Sequence, residues 1–234
     1  MALDEALLDA HVNGDIGDCF RLFHFSPSAA TLGYFQCAGR ELDIGRCKEL
    51  GIDVVRRPTG GGCVFHDESG ELTYSVVASS KGTMKEIIAS YSAICSCVVR
   101  ALGRLGIESS FSPVNDIVAG KKKISGSAQT RRGDSLLQHG TIMISTDLDT
   151  LEGILKVDGK KLAGKGVASV RKRVTTLQEC NPDITESSLA GPLVEEFEKI
   201  VRSPPLNDIS PSIIEHAHQL EKEKYSKAAF TFRR

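Results

Sequence analysis

Four extended segments, 107–111, 115–119, 122–130 and 135–146, follow one another with no helical pattern between them. Strands that cluster in this way, with hairpin connections instead of alternating helices, belong to a largely antiparallel sheet. The turn AGKKK joins the second and third. Upstream, strands are expected at 20–26, 31–36 and 52–57, and the pair CVFH and ELTYSVVA flanking DESG reads as a hairpin. Helical spacing of apolar residues marks 2–12, 42–51, 84–105 (the longest), 147–156, 186–200 and 211–225. The expected fold is α+β, a largely antiparallel mixed sheet flanked by helices, and not a parallel Rossmann-type sheet. With no internal repeat, residues 1–234 are taken as a single catalytic domain, of which 185–234 form a helical tail without a separate accessory domain.

Composition limits what such a fold could serve. Hydrophobic residues make up 41% and charged residues 25%, which suits an ordered core and argues against disorder. Lys plus Arg number 29 against 30 Asp plus Glu, so the basic excess of a nucleic-acid binder is missing. No apolar run is expected to reach the roughly 18 residues of a membrane span. The start, MALDEALLDAHVNG, carries acids and not a secretory or mitochondrial signal. Seven cysteines without a CxxC fit reduced thiols. A cytoplasmic protein with neither nucleic-acid nor membrane partners is the expectation.

Three stretches carry chemistry. RRPTGGGCVFHD sets Arg56 and Arg57 before Gly60, Gly61 and Gly62. Backbone N–H groups and guanidinium forks cradle anions, although a tight turn with solvated arginines fits equally well. In NDIVAGKKKISGSAQ, strand alternation puts Lys123 in register with Ser125 and Ser127, with Ile124 and Gly126 on the other face. An inward Lys123 would meet an anion or a developing oxyanion; an edge-strand lysine that discourages aggregation is the commoner role. LQHGTIMIS is a buried strand in which His139, taken alone, reads as a core histidine. KGVASVRKRVTTL, 165–177, puts Lys165, Arg171 and Arg173 in a loop that becomes extended, or in a solvated basic segment. No Ser-His-Asp or metal-ligand set stands out, which points to positioning and electrostatics, not to a protein nucleophile.

RRPTGGGCVFHD, NDIVAGKKKISGSAQ, QHGTIMIS and KKLAGKGVASVRKRV resemble, in order and spacing, the signatures of the lipoate–protein ligase A family, within the biotin/lipoate ligase and octanoyltransferase superfamily. The resemblance runs from MALDEALL to about Phe197 and implies a class II synthetase-like α+β fold, like that of biotin ligases. It implies an ATP-dependent ligase, assisted by Mg2+, that forms an acyl-adenylate of lipoate or octanoate. The acyl group would then pass to a lysine ε-amine on lipoyl domains of 2-oxoacid dehydrogenases or on the glycine cleavage H protein. By matching position, Lys123 would be catalytic. Arg56, Arg57, Thr59, Gly60, Gly61 and Gly62, with Cys63 and Val64, would line the acyl chain and phosphate. Asn115 and Asp116 would lie beside the adenylate, with Asp116 a Mg2+ contact. Gly126, Ser127 and Ala128 would wall the acyl tunnel, and His139 and Gly140 would form its floor. The loop 165–174, with Lys165, Gly166, Ser169, Val170 and Arg171, would close over the nucleotide.

Three departures accompany the resemblance. The family's strand before the ALDEAL helix is missing or starts further upstream, because here Met1 opens that helix. Position 63, usually small, is Cys. The small C-terminal domain of single-chain ligases has no counterpart, so adenylation is expected to need a separate accessory subunit, or the chain uses pre-activated acyl groups. The rival readings are an octanoyl or lipoyl transferase with a pre-activated donor and a non-catalytic acyl-adenylate-binding module. Against a cysteine-dependent transferase, SSFSPVNDIVAGKKK holds no cysteine.

Overall fold

The computed structural model describes residues 1–156, 170–201 and 209–234. In chain order its strands are β1 (Cys19–Phe23), β2 (Ala29–Leu32), β3 (Asp53–Arg56), β4 (Val64–His66), β5 (Glu71–Ser79), β6 (Ser110–Ser112), β7 (Asp116–Ala119), β8 (Lys122–Arg132) and β9 (Ser135–Met143). The helices are α1 (Ala2–Asn13), α2 (Ala38–Glu41), α3 (Ile44–Glu49), α4 (Ile87–Arg104), α5 (Leu148–Ile154), α6 (Leu177–Cys180), α7 (Glu186–Glu198), α8 (Pro211–Leu220) and α9 (Ala228–Thr231). Six strands form one antiparallel sheet in the order β1-β5-β9-β8-β7-β6, and three form a smaller sheet, β3-β2-β4, in which β2 and β3 run parallel.

The period of two along β5 and β9 divides the large sheet into unlike faces. Leu72, Tyr74, Val76 and Ala78, with Leu136 and Ile142, point toward α4 and α7 and form the main core. Helix α4 meets them with Ile94, Val98, Ala101 and Leu102, spaced at three and four and fully buried. Alternate residues on the same strands, Thr73, His139 and Thr141, look the other way into a channel beside Thr31 of the small sheet. The small sheet is backed in turn by α3 and α5 around Leu32, Leu42, Cys47 and Leu151. Helix α1 covers the remaining end of the polar face, packing Leu7 and Leu8 with Val77, Leu137 and α8. A polar sheet face thus lies between two apolar layers, and the candidate site forms there.

Several expectations change. The DESG turn does not close a hairpin: β4 pairs with β2 and β5 with β1 and β9, so Asp67–Gly70 carries the chain between sheets. The strand expected at 31–36 ends at Leu32, because the carbonyls of Gly33, Tyr34 and Gln36 turn toward the Arg56 guanidinium. Past residue 169 the basic segment forms a 3-10 turn at Val170–Lys172, pairs through Val174 with Lys123, and enters α6. Helix α4 is long and apolar enough by length and composition to cross a membrane, contrary to expectation, but its apolar face is the core just described. Nor is α7 part of a tail, since Leu189, Leu193 and Phe197 are fully buried in that core.

Candidate active site

Arg57 organises the glycine loop from within. It is 3% exposed, and its guanidinium donates to the carbonyls of Gly60 (2.7 Å) and Gly62 (2.6 Å), so the loop wraps round the arginine. Gly61 takes φ +92, a left-handed conformation that favours glycine, and its carbonyl lies where a side chain on Gly33 would sit. Burial pushes the Arg57 pKa down to about 10.

Two hydrogen-bonded relays leave this guanidinium. In one, Arg57 Nε donates to Thr59 Oγ1 (3.0 Å), which lies 2.7 Å from His139 Nε2; His139 Nδ1 is 3.0 Å from Asp4, and Arg21 pairs with Asp4 at 2.7 Å. In the other, Arg57 Nη1 reaches Thr31 Oγ1 (3.2 Å), followed by His66 (3.0 Å) and Glu71 (2.7 Å). Burial lowers the His139 pKa despite the opposing Asp4, so the ring is neutral with its proton on Nδ1, facing the carboxylate, and Thr59 donates to Nε2. Burial alone would raise the Asp4 pKa, but Arg21 and the His139 hydrogen bond hold it well below the usual carboxylate range.

The relays wall a narrow channel of about 80 Å³, also lined by Gly61, Asn115 and Ala128. It opens into a wide cleft of about 800 Å³. Gly62, Cys63, Val64, Lys123, Gly126 and Thr141 border both spaces and so form the neck between them. Lys123 lies across Gly126: a Cβ built there would come within 2.4 Å of Nζ, so any side chain at 126 would displace the ammonium from this position. Nζ pairs with Asp116 at 2.7 Å, and the Lys123 backbone is fixed by bonds with Arg173 and Thr175.

The facing expected from simple alternation is corrected here. Val118 pairs with Lys123 and Ile117 with Ser125, leaving Ile124 as an extra residue in a bulge. Ile124 and Ser125 are both fully buried, and Lys123 shares the site face with Gly126. Lys121 borders the cleft, while Lys122 is exposed and borders neither space.

Of the other expected site residues, Arg56 lies away from both spaces. It is fully buried and donates to the carbonyls of Gly33, Tyr34, Gln36, Phe230 and Thr231. Ser127 turns its hydroxyl to Tyr74 on the helix face (2.8 Å), and Gly140 packs against the same tyrosine, so both meet the channel through backbone. Asn115 holds the Ser127 backbone through its side-chain amide and its own carbonyl. Val170 borders the cleft, whereas Arg171 pairs with Asp149 (3.1 Å) in a separate shallow groove. Lys165, Gly166 and Ser169 lie outside the described residues. Cys63 sits at the neck, but burial pushes its thiol pKa up to about 12, so it is no activated nucleophile. As for Mg2+ at Asp116, one carboxylate already neutralised by an ammonium is a poor cation site, and the described residues hold no cluster of three or more metal-ligating side chains. Sequence reasoning missed Thr141 and the cleft cations Arg40 and Lys156, whereas Lys172 and Arg173 belong to the loop 165–174 expected over the nucleotide. Strand alternation from His139, itself assigned through the resemblance, reaches Thr141 two residues on; Arg40 and Lys156 are brought in by tertiary structure alone.

The model of the lipoyl protein ligase A/B catalytic domain matches residues 1–198. Octanoyltransferase LipM of Carboxydothermus hydrogenoformans is 35% identical across 100% of this chain and 93% of its own length. Lipoate–protein ligase 1 of Staphylococcus aureus is 33% identical across 86% of this chain, but only 57% of its own length is matched. Among solved structures, a bipartite lipoate protein ligase of Thermoplasma acidophilum, studied with its E2 lipoyl domain, superposes with a TM-score of 0.85 at 30% identity, covering 99% of this chain and 89% of that one. The class II synthetase-like α+β fold is therefore as expected. The expected adenylate-forming, ATP-dependent ligase is overturned, because relatives that cover the whole of this chain are named octanoyltransferases.

Proposed function

This chain belongs to the lipoyl protein ligase A/B catalytic-domain family, and we propose that within it the chain is an octanoyltransferase that takes its acyl group from a pre-activated donor. The acceptor is the ε-amine of a lysine on a lipoyl domain, the kind of partner studied with the Thermoplasma relative. The observation that carries this reading is the neck: a narrow channel and a wide cationic cleft meet at Lys123. The octanoyl tail occupies the channel, the activating group lies in the cleft, and the reacting carbonyl lies between.

The acceptor amine attacks the carbonyl carbon, forming the C–N bond while the carbonyl π pair moves to oxygen. Lys123 Nζ stabilises that oxyanion, which is worth on the order of 3–4 kcal/mol by comparison with other oxyanion donors. Collapse restores the carbonyl, breaks the bond to the leaving group and sends its electron pair out with it. The amine proton follows, giving an amide and the protonated leaving group. With Cys63 held as a thiol, the transfer passes directly between the two substrates. Arg40, Lys121, Lys156, Lys172 and Arg173 favour a donor that carries negative charge.

The test is incubation of the purified chain with an octanoyl thioester of coenzyme A or acyl carrier protein and a lipoyl domain, followed by intact-mass measurement. Gain of one octanoyl group on the acceptor without ATP supports the reading. Modification that appears only with free octanoate and ATP would sink it.

A further inference from the structure

Four hydroxyl side chains border the narrow channel: Thr31, Thr73, Ser127 and Thr141. Three are engaged within the protein. Thr31 lies 3.0 Å from His66, Thr73 donates to Glu71 (2.8 Å), and Ser127 bonds with Tyr74 (2.8 Å). Thr141 Oγ1 has no partner among the described residues, although Thr141 is only 8% exposed. Its oxygen is not among the buried unpartnered side-chain atoms, so the hydroxyl is open to the cavity and free to donate to a bound ligand. Thr141 is also the hydroxyl residue that borders both the channel and the cleft.

Its position makes the ligand atom specific. Thr141 is the direct cross-strand partner of Gly126, and paired residues in an antiparallel ladder have Cα atoms about 5 Å apart with side chains on one face. The Lys123 ammonium lies over that same Gly126. A hydroxyl from β9 and an ammonium from β8 therefore stand on the same face of the sheet, on either side of Gly126 at the neck.

We infer that Thr141 is a second oxyanion donor: its hydroxyl donates to the carbonyl oxygen of the bound acyl group and shares with Lys123 the charge that builds there during transfer. The inference rests on the transfer reading above. Thr141 supplies a neutral, directional donor, while Lys123 supplies charge. Two donors from different strands fix the carbonyl plane, so the acceptor amine meets one face of it.

The experiment uses octanoyl-pantetheine thioester labelled with 13C at the carbonyl, bound to the wild type, Thr141→Val, Thr141→Ser and Lys123→Ala, with the carbonyl stretch read by infrared difference spectroscopy. Transfer kinetics to a lipoyl domain run in parallel. In the wild type and Thr141→Ser the stretch shifts to lower frequency. In Thr141→Val it moves back toward the free value, and kcat falls by on the order of 10²-fold with KM little changed. Thr141→Ala serves as a second variant lacking the hydroxyl if Val disturbs folding. A wild-type stretch and rate in the hydroxyl-free variants, with Lys123→Ala impaired, overturns the role of Thr141 and leaves the transfer reading standing. Equal loss in Thr141→Ser and Thr141→Val assigns the effect to packing and also overturns it. No bound carbonyl and no transfer in the wild type overturns both.

Discussion

The channel and the cleft are neighbours with opposite electrostatic characters. Along the channel wall charge is tied up internally: Arg21 faces Asp4, and Arg57 is held between the relays that end at Asp4 and Glu71. Around the cleft, Arg40, Lys121, Lys156, Lys172 and Arg173 have no carboxylate partner among the described residues, and only Lys123 meets one, Asp116. A wall whose charged groups are mostly tied to one another offers little to a charged ligand and suits an aliphatic one; Glu71 Oε2 is the buried exception at the end of its relay. A wall with surplus cations is stable because it is wet, and it gains when an anion replaces that water. The same residue types are scaffold in one region and ligand-facing in the other, and burial separates the roles.

The largest effect should come from breaking the channel network. Asp4→Ala leaves Arg21 without its buried partner and His139 without its acceptor, and should lose about 3–5 kcal/mol of stability. Urea denaturation at pH 7 measures this, and a loss under 1 kcal/mol would show that the relays are incidental. Next comes Lys123→Ala, where the regions meet. Transfer should fall by on the order of 10²–10³-fold while the melting temperature holds, because Nζ lies in the neck and not in the core.

The network also predicts an acid response. The folded pKa values of His139 and Asp4 both lie below their unfolded values. The unfolded chain therefore binds more protons as pH falls, and stability present at neutral pH is lost on acidification. The loss begins as pH drops through the unfolded histidine value of about 6.5 and continues below the carboxylate value of about 3.9. Urea unfolding of the wild type at pH 7 and pH 5 should differ in this direction, and His139→Asn should flatten the difference. A wild type equally stable at both pH values would contradict the buried neutral histidine.

Smaller effects belong to the cleft. Lys172→Ala and Arg173→Ala should each raise the donor KM a few-fold and weaken its dependence on salt, since exposed charges contribute roughly 0.2–1 kcal/mol apiece. Salt-independent donor binding in the wild type would show that the surplus cations do not face the donor. Smallest of all, Lys122→Ala should leave transfer unchanged within assay error, because that side chain is exposed and borders neither space.

Much of the site was legible in its motifs. The order of the motifs supplied the family, and with it His139, Gly126 and Ala128, which line the channel. Reading failed where regularity did. The bulge at Ile124 adds one residue to β8 and shifts the facing of Lys123, and alternation cannot reveal an insertion that the partner strand does not share. Arg56 and Arg57 advertise charge in the sequence, yet their carbonyl partners come from residues as distant as Thr231 and are set by the fold alone. CVFH and ELTYSVVA are both strands, but a four-residue turn between two strands does not say that they share a sheet.

Arg56 has a consequence for how the sequence can drift. All of its bonds go to main-chain carbonyls, from the 33–36 turn on one side and from Phe230 and Thr231 in α9 on the other. A carbonyl looks alike in every amino acid, so the arginine reads the path of the backbone and is blind to the letters along it. The hydrogen bonds that Arg56 adds to the closure of the C-terminal helix are therefore encoded at one position, and they do not depend on the side chains of their partners, although Gly33 is fixed for its own reason, the Gly61 carbonyl beside it. Replacing Arg56 strands several acceptors at once, whereas changing the side chain of any one partner removes none.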